Sequence, residues 1–251
     1  YSSALRGKTL AMIFEKPSLR TRVSFEVGMV QLGGHALDLS ASVSLGGREA
    51  VYDVAKNLER MVQGIMIRTF GHDRVERMAE FASVPVINGL TDFSHPCQGM
   101  ADYLTMLEVK GRLQGLRVAY VGDSNNVTHS LMFGAALLGA HLRVGSPAGY
   151  QPDAGALSWA TAEAPRTGAT IEVFDDPALA VRDADVVYTD TWTSMGQEQE
   201  ASRRREIFHP YQVNASLMAQ AKPDAIFMHC LPAHRGEEVT NEVIDSAQSV
   251  V

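Results

Sequence analysis

Short apolar segments alternate with longer amphipathic segments along the whole chain. Runs of 4–6 residues of buried-strand type occur at 9–14, 35–39, 64–68, 84–87, 116–121, 141–144, 170–174, 185–189 and 224–228. Segments with apolar positions at helical spacing lie between them, at 21–32, 49–61, 73–82, 96–110, 128–138, 153–167, 177–183 and 215–221. Strands that alternate with helices predict parallel sheets covered on both faces. We therefore expect an α/β fold with two doubly wound parallel-sheet domains.

A long helix at 96–110, followed by the glycine-punctuated stretch 111–115, separates the two series of strands. We place the domain boundary in or near this helix, which gives domains at 1–110 and 111–251. The chain starts without Met almost directly in a strand, and residues 247–251 look like a further strand. We expect both termini to be truncated.

Composition and charge narrow the classes of function. The 251 residues are 45% hydrophobic and 20% charged, which is an ordinary globular balance. The net charge of −7 provides no basic surface for nucleic acid or an anionic membrane, although local arginines can still hold a small anion. The two cysteines, Cys97 and Cys230, form neither a CxxC pair nor a disulfide scaffold, so a reducing, cytoplasmic compartment fits best.

The first strand leads into a helix through a stretch suited to an anion, Glu15 to Arg22. Ser18 and Thr21 offer hydroxyl groups near the helix start, where backbone N–H groups favour negative charge. Arg20 and Arg22 add guanidinium groups that suit phosphate. The stretch is not a Walker A loop, and a capped helix with surface arginines is an equally good interpretation.

Two other strand ends of the first half add polar side chains on the same side of the predicted sheet. Arg68 ends strand 64–68, and the His95-Pro-Cys-Gln98 segment follows strand 84–87. Because ligands bind at the carboxyl ends of such strands, these residues are candidates to join the anion site. His95 could polarise a carbonyl beside a phosphate, and Gln98 could accept from an amide.

Three strand ends of the second half carry a second candidate site. Residues 122–130 lie where a dinucleotide-binding turn would lie but lack the GxGxxG glycines, which disfavours a nicotinamide cofactor. The side-chain amides of Asn125 and Asn126 could instead bind a carboxylate, or the segment could be an Asx turn that caps the next helix. Asp190 could pair with an ammonium group or cap a turn. His229 and Cys230 suggest a metal pair, but adjacent strand residues point to opposite faces and no third ligand is evident. Metal binding is therefore disfavoured.

Taken together, five segments in this order resemble the aspartate/ornithine carbamoyltransferase family, and the last two resemble its ornithine branch. They are Phe14-Glu-Lys-Pro-Ser-Leu-Arg-Thr-Arg22, His95-Pro-Cys-Gln98, Gly122-Asp-Ser-Asn-Asn126, Asp190-Thr-Trp-Thr-Ser-Met-Gly196 and His229-Cys-Leu-Pro232. The resemblance covers nearly the whole chain. It implies transfer of the carbamoyl group of carbamoyl phosphate to the δ-amine of ornithine, without a metal or an organic cofactor.

The resemblance also implies a role for individual residues. Carbamoyl phosphate would be held by Ser18, Leu19, Arg20, Thr21, Arg68, His95 and Gln98. Ornithine would be held by Asn126, Asp190, Ser194, Met195, Cys230 and Leu231. Among these, Arg20, His95, Asp190 and Cys230 would act in catalysis.

Leu19 stands where the family usually has Thr, and its backbone N–H could serve instead. The resemblance further implies a homotrimer or a larger assembly, with residues 44–48 reaching an adjacent subunit. It also implies that an N-terminal helix and a C-terminal helix with another substrate-binding arginine lie outside the printed sequence. A sister carbamoyltransferase for putrescine or an acylated ornithine, a non-catalytic binding module and a nucleotide-dependent oxidoreductase remain alternatives.

Overall fold

The computed structural model describes residues 2–39, 47, 49–194 and 198–251. The chain forms two compact units, Tyr1–Cys97 and Gln98–Val251. Each unit contains one parallel sheet, so the predicted α/β fold with two parallel-sheet domains is confirmed. None of the described helices combines the length and apolar character needed to cross a membrane. The loop predicted at 44–48 lies outside the described residues apart from Gly47.

The first unit has a four-stranded sheet in the order β2-β1-β3-β4. Its elements are β1 (Thr9–Phe14), α1 (Leu19–Gln31), β2 (His35–Asp38), α2 (Val51–Leu58), β3 (Gly64–Arg68), α3 (His72–Phe81) and β4 (Val86–Leu90). Alternate residues of the central strands pack on opposite faces, as the two-residue period of a strand requires. Ala11 and Ile65 face α2 and α3, whereas Met12 and Met66 face Met29 of α1. Burial on both faces explains the continuous apolar runs.

The second unit has a five-stranded sheet in the order β7-β6-β5-β8-β9. The helix α4 (Pro96–Lys110) starts at the end of the first unit and continues into the second. The other elements are β5 (Arg117–Val121), α5 (Asn126–Leu138), β6 (His141–Gly145), α6 (Ala154–Glu163), β7 (Ile171–Phe174), α7 (Pro177–Val181), β8 (Val186–Thr189), α8 (Ala201–Phe208), α9 (Ala215–Met218), β9 (Ile226–His229) and α10 (Asn241–Ile244). Short 3₁₀ helices lie at Ala164–Arg166, Glu198–Glu200 and His209–Tyr211.

Strand order determines where a ligand can bind in each unit. In the first sheet the chain builds β2 on one side of β1 and β3 on the other. In the second sheet β6 and β8 flank β5 in the same way. Where the connections after two neighbouring strands run to opposite sides of the sheet, a crevice opens at the carboxyl ends of those two strands. The residues directly after β1, β3, β5 and β8 are therefore the ones placed to bind.

Several predicted elements differ from the structure for identifiable reasons. The helix expected at 153–167 ends as an α-helix at Glu163, since Pro165 supplies no N–H, and a 3₁₀ turn follows. The helix expected at 21–32 spans Leu19–Gln31, and the exposed Leu32 is its C-cap. Residues 247–251 form no strand, only an isolated bridge through Ser249. The helices α8 and α10 were not expected at all.

Candidate active site

The start of α1, at the carboxyl end of β1, presents backbone N–H groups that have no hydrogen-bond partner among the described residues. Ser18 is the N-cap, and its hydroxyl oxygen accepts from the Thr21 backbone N–H at 3.3 Å. The Ser18 hydroxyl also lies 3.0 Å from the Thr21 hydroxyl. Leu19 is the first helical residue with a 76% exposed side chain, and the first turn holds no acidic residue. Unsatisfied N–H groups and the positive helix end favour an anion here.

Arg68 connects this helix start with the neighbouring strand end. The side chain is buried at the end of β3, and its Nη1 lies 3.4 Å from the Thr21 hydroxyl oxygen. Arg22, by contrast, is paired with Glu26 and Asp38, each at 3.1 Å. Arg20 makes no ion pair with any residue that the structure describes. Of these two arginines in the first turn of α1, Arg20 is therefore the one whose guanidinium is available to an anion.

His95 and Gln98 lie at the start of α4. His95 is half-buried at the end of a tight loop, which the Thr91 N–H closes by donating to the Ser94 carbonyl at 2.8 Å. Gln98 already belongs to the second unit, where its side-chain amide donates to the Asp102 carboxylate at 2.9 Å. The structure thus brings Ser18, Thr21 and Arg68 into direct contact.

Asp190 is the centre of the second candidate site. It follows β8 directly, is only 7% exposed, and accepts from donors on three segments. Asn125, after β5, donates its side-chain amide to one carboxylate oxygen at 2.6 Å. The Cys230 thiol, after β9, donates to the other oxygen at 3.0 Å, and the Thr191 N–H donates to it at 2.8 Å. Because β5, β8 and β9 are neighbours, their ends meet at this one carboxylate.

The turn after β5 combines a structural and a site role. Asn125 caps α5, since its side-chain oxygen accepts from the Val127 N–H at 2.9 Å while its amide group reaches Asp190. Asn126, the first residue of α5, is half-buried. Asn125 is therefore both the helix cap and a polar contact of Asp190. The set of ornithine-binding residues implied by the resemblance contained Asn126 and not Asn125.

The remaining candidates of the second site are distributed around Asp190. Ser194 is half-buried in the loop after β8, and Met195 lies outside the described residues. Leu231 follows Cys230 with a positive φ of 57°, and its N–H donates to the His229 ring at 2.8 Å. That left-handed conformation turns the chain away from the strand direction.

The expectation that His229 and Cys230 lack a third neighbouring ligand is wrong. Ligand atoms of Asp190, His229 and Cys230 all lie within 4.8 Å of one another. β9 ends at His229, so the alternation of a strand does not extend to Cys230. Both His229 ring nitrogens are engaged, Nδ1 by the Leu231 N–H and Nε2 by Glu238 at 3.2 Å. The imidazole as placed therefore has no lone pair left for a cation.

Cys230 is held as a neutral thiol. Burial raises its pKa well above the ordinary range, and the negative charge of Asp190 raises it further. A protonated thiol can donate to Asp190 but cannot serve as a thiolate nucleophile or metal ligand. Beside Asp190 it is therefore a weak, uncharged polar group.

A buried arginine of the unpredicted helix α8 connects the loop after β5 with the loop after β8. Arg204, 3% exposed, pairs with Asp123 at 2.6 Å and donates to the Trp192 carbonyl at 2.6 Å. Burial raises the pKa of Asp123 to about 6, although Arg204 opposes that shift. Arg204 and Phe208, four residues apart, form the buried face of this helix, but an arginine at a buried position gives no apolar periodicity from which the helix could be predicted.

A second buried carboxylate connects α4 with β8. Asp102 accepts from Gln98 at 2.9 Å and from the Tyr188 hydroxyl at 3.0 Å. Its pKa is raised to about 7, chiefly by burial. Neither Asp102 nor Tyr188 belongs to a motif, so sequence reasoning gave no reason to select them.

Comparisons with known proteins agree with this geometry in both units. Residues 1–108 match the family profile described as aspartate/ornithine carbamoyltransferase, carbamoyl-P binding domain, and residues 114–251 match its Asp/Orn binding domain. An ornithine carbamoyltransferase of Thermococcus kodakarensis is 60% identical over 248 residues, which are 98% of this chain and 79% of that protein.

A relative named ornithine carbamoyltransferase, anabolic, from Pyrococcus furiosus is 58% identical over 248 residues, which are 98% of this chain and 79% of that protein. The solved structure of an ornithine carbamoyltransferase from the same organism superimposes with a TM-score of 0.97, covering 100% of this chain and 80% of that one. The chain therefore belongs to the aspartate/ornithine carbamoyltransferase family.

Proposed function

We propose that this protein transfers the carbamoyl group of carbamoyl phosphate to the δ-amine of L-ornithine, giving L-citrulline and phosphate. The observation that carries the proposal is the Asp190 carboxylate, held by Asn125 and Cys230 where three strands end. A buried carboxylate whose described partners are uncharged suits the ammonium group of an amino acid. Relatives named ornithine carbamoyltransferase, one of them 60% identical to this chain, support the same acceptor.

Carbamoyl phosphate would bind at the start of α1 and at the neighbouring strand ends. The phosphate would accept from the first N–H groups of α1, including that of Leu19, and from Ser18. Arg20 and Arg68 would supply charge, and the half-buried His95 would approach the carbonyl oxygen. The full proposed set is Ser18, Leu19, Arg20, Thr21, Arg68, His95 and Gln98.

Ornithine would bind to the second unit through its two α-substituents. Asp190 would accept from the α-ammonium, and Asn126 would donate to the α-carboxylate. The neutral Cys230 and the Leu231 carbonyl would border the side-chain amine. The full proposed set is Asn126, Asp190, Ser194, Met195, Cys230 and Leu231.

The chemistry requires a deprotonated amine, because an alkylammonium with a pKa of about 10.4 has no lone pair to attack. A largely desolvated position lowers that pKa. The amine nitrogen then bonds to the carbamoyl carbon, and the bond from that carbon to the phosphate oxygen breaks. Arg20, Thr21 and His95 would stabilise the developing oxyanion, and the departing phosphate takes the amine proton.

The direct test is turnover with competing acceptors. We expect the purified protein to form citrulline from carbamoyl phosphate and ornithine, and to form carbamoylputrescine at least about 100-fold more slowly, because putrescine has no carboxylate for Asn126. Preference for putrescine or an acylated ornithine would identify a sister enzyme. Calorimetric binding of carbamoyl phosphate and norvaline without turnover would identify a binding module.

We also propose a homotrimer or larger assembly acting in the cytoplasm, in arginine biosynthesis. The name of the Pyrococcus furiosus relative includes the word anabolic, which supports the biosynthetic direction. Both cysteines are free, as in a reducing compartment.

The outer face of α1 exposes Leu19, Val23, Val27 and Val30, an apolar stripe that suits a subunit contact. Light scattering that gives the mass of one chain would contradict the assembly.

A further inference from the structure

A buried carboxylate outside the family motifs contacts a proposed substrate ligand. Asp102 lies on α4 one helical turn after Gln98, so their side chains share one face of the helix. The Gln98 Nε2 donates to Asp102 Oδ1 at 2.9 Å, and Asp102 is only 4% exposed. This contact fixes one end of the Gln98 amide inside the protein.

A second donor holds the carboxylate itself. The fully buried Tyr188 of β8 donates its hydroxyl to Asp102 Oδ2 at 3.0 Å, and its ring stacks on Tyr120 at a centroid distance of 6.0 Å. With one oxygen committed to Tyr188, the other oxygen is left for Gln98. Asp102 is thus anchored to the central part of the sheet rather than free to follow the glutamine side chain.

An amide has two distinct ends, and only one of them can meet a carboxylate favourably. Above the Asp102 pKa of about 7 the carboxylate is ionised, accepts hydrogen bonds and donates none, so it selects the Nε2 end of Gln98. The opposite, Oε1 end is then the one presented away from Asp102. An oxygen in that position can accept an N–H of the carbamoyl amide, whereas the reversed amide would place two N–H groups against each other.

We propose that Asp102 is a positioning residue for carbamoyl phosphate, acting through Gln98 by fixing which end of its amide faces the substrate. The inference rests on the proposed function and deepens it. It predicts that Asp102 affects recognition of the carbamoyl amide and leaves recognition of the phosphate unchanged, because inorganic phosphate has no amide.

The experiment is a double-mutant cycle on the complete chain. Asp102→Leu, Gln98→Ala and the double variant are compared with the wild type for the KM of carbamoyl phosphate in citrulline formation and for the Ki of inorganic phosphate. We expect Asp102→Leu to raise the KM about tenfold, as the loss of one oriented hydrogen bond would, and to change the phosphate Ki less than about twofold. In the Gln98→Ala background the same change should alter the KM less than about twofold.

Two further variants control for folding and for the helix. Asp102→Asn keeps an acceptor oxygen but allows either amide orientation, so it should restore part of the affinity and leave the KM raised about threefold. If Asp102→Leu does not fold, this variant carries the cycle. Thr105→Val, at a half-buried position of the same helix whose hydroxyl donates to the Ala101 carbonyl, should leave both constants within about twofold.

Several results would overturn the positioning role. One is a parallel rise of the carbamoyl phosphate KM and the phosphate Ki. Another is an equal effect of the Asp102 change on the KM with and without Gln98. A third is an unchanged KM in Asp102→Asn, if Asp102→Leu also has an unchanged KM or does not fold. Citrulline formation by the wild type, combined with any of these, refutes Asp102 alone. No citrulline from the wild type refutes the proposed function and this inference with it.

Discussion

Replacing Arg204 with Met should destabilise the second unit by an amount that grows with pH. The guanidinium is 3% exposed, pairs with Asp123 at 2.6 Å and donates to the Trp192 carbonyl at 2.6 Å. Removing one partner of a buried ion pair costs about 3–5 kcal/mol because the other charge stays buried. Met fills similar volume, so a cavity contributes little.

The pH dependence follows from the pKa of Asp123. Burial already raises it to about 6, and Arg204 is the main group that lowers it, so the variant's folded-state pKa must lie above 6. An acid with a raised folded pKa binds its proton in the folded state first. The free energy of unfolding therefore falls as pH rises, by about 1.4 kcal/mol per unit, until the folded pKa is passed.

This linkage separates the wild type from the variant above pH 6. The wild type stops losing stability from Asp123 near pH 6, whereas Arg204→Met continues to lose it. At pH 5 Asp123 is protonated in both folded proteins, and the variant should lose only about 1–2 kcal/mol, for the Trp192 hydrogen bond and its packing. At pH 8 the loss should reach about 3–5 kcal/mol.

Urea unfolding followed by tryptophan fluorescence measures this difference in the correct unit. Both tryptophans of the chain, Trp159 and Trp192, lie in the second unit. Arg205→Met is the matched control, because Arg205 pairs with Glu237 at 3.1 Å with side chains 55% and 32% exposed. That variant should lose about 0–1 kcal/mol at either pH. Equal losses for Arg204→Met at pH 5 and pH 8 would refute the reasoning.

Three further outcomes follow from the two sites. Arg20→Ala should weaken carbamoyl phosphate binding, measured by calorimetry, about 10- to 150-fold and leave the fold intact. Arg22→Ala should weaken it far less, because the Arg22 guanidinium already pairs within the protein. Equal losses of affinity in the two variants would mean that the first site is misplaced. Asp190→Asn should weaken norvaline binding about tenfold or more and leave carbamoyl phosphate binding within about twofold, and an unchanged norvaline affinity would remove Asp190 from the ornithine site. Burial raises the pKa of Cys230, so iodoacetamide should alkylate this thiol slowly up to about pH 9. Peptide mass spectrometry measures the alkylation, and rapid alkylation at pH 7 would contradict a neutral thiol.

The elements with sharp local signals were predicted at their observed bounds. β3 is an apolar run that starts at Gly64, and α4 starts with Pro96 at a position where its missing N–H costs nothing. The helix α8 was missed because its three consecutive arginines look like a solvated surface. Arg204 is buried only because Asp123, 81 residues earlier, pairs with it, and a local pattern cannot contain that information.

The site was predictable where strand ends alone determine it. Thr21 and Arg68 are in contact because β1 and β3 are neighbours, and Asp190 and Cys230 are in contact because β8 and β9 are. Asp102 was not predictable, since its contact with Tyr188 depends on where α4 packs against the sheet. The domain boundary predicted at 110/111 and the proposed roles of the site residues stay predictions.

The electrostatics of the second unit favour a cationic amino acid over a neutral ligand. The pKa values of Asp102, Asp123 and Cys230 are all raised, in each case first by burial and then in part by the negative charge of Asp190. The described donors to Asp190 are an amide, a backbone N–H and a thiol, which orient the carboxylate without neutralising it. An ammonium group bound there would supply a positive charge and would lower the pKa of the neighbouring acids at the same time. We therefore expect ligand binding to release protons from this unit, because these acids would bind their protons more weakly once an ammonium group lies beside Asp190.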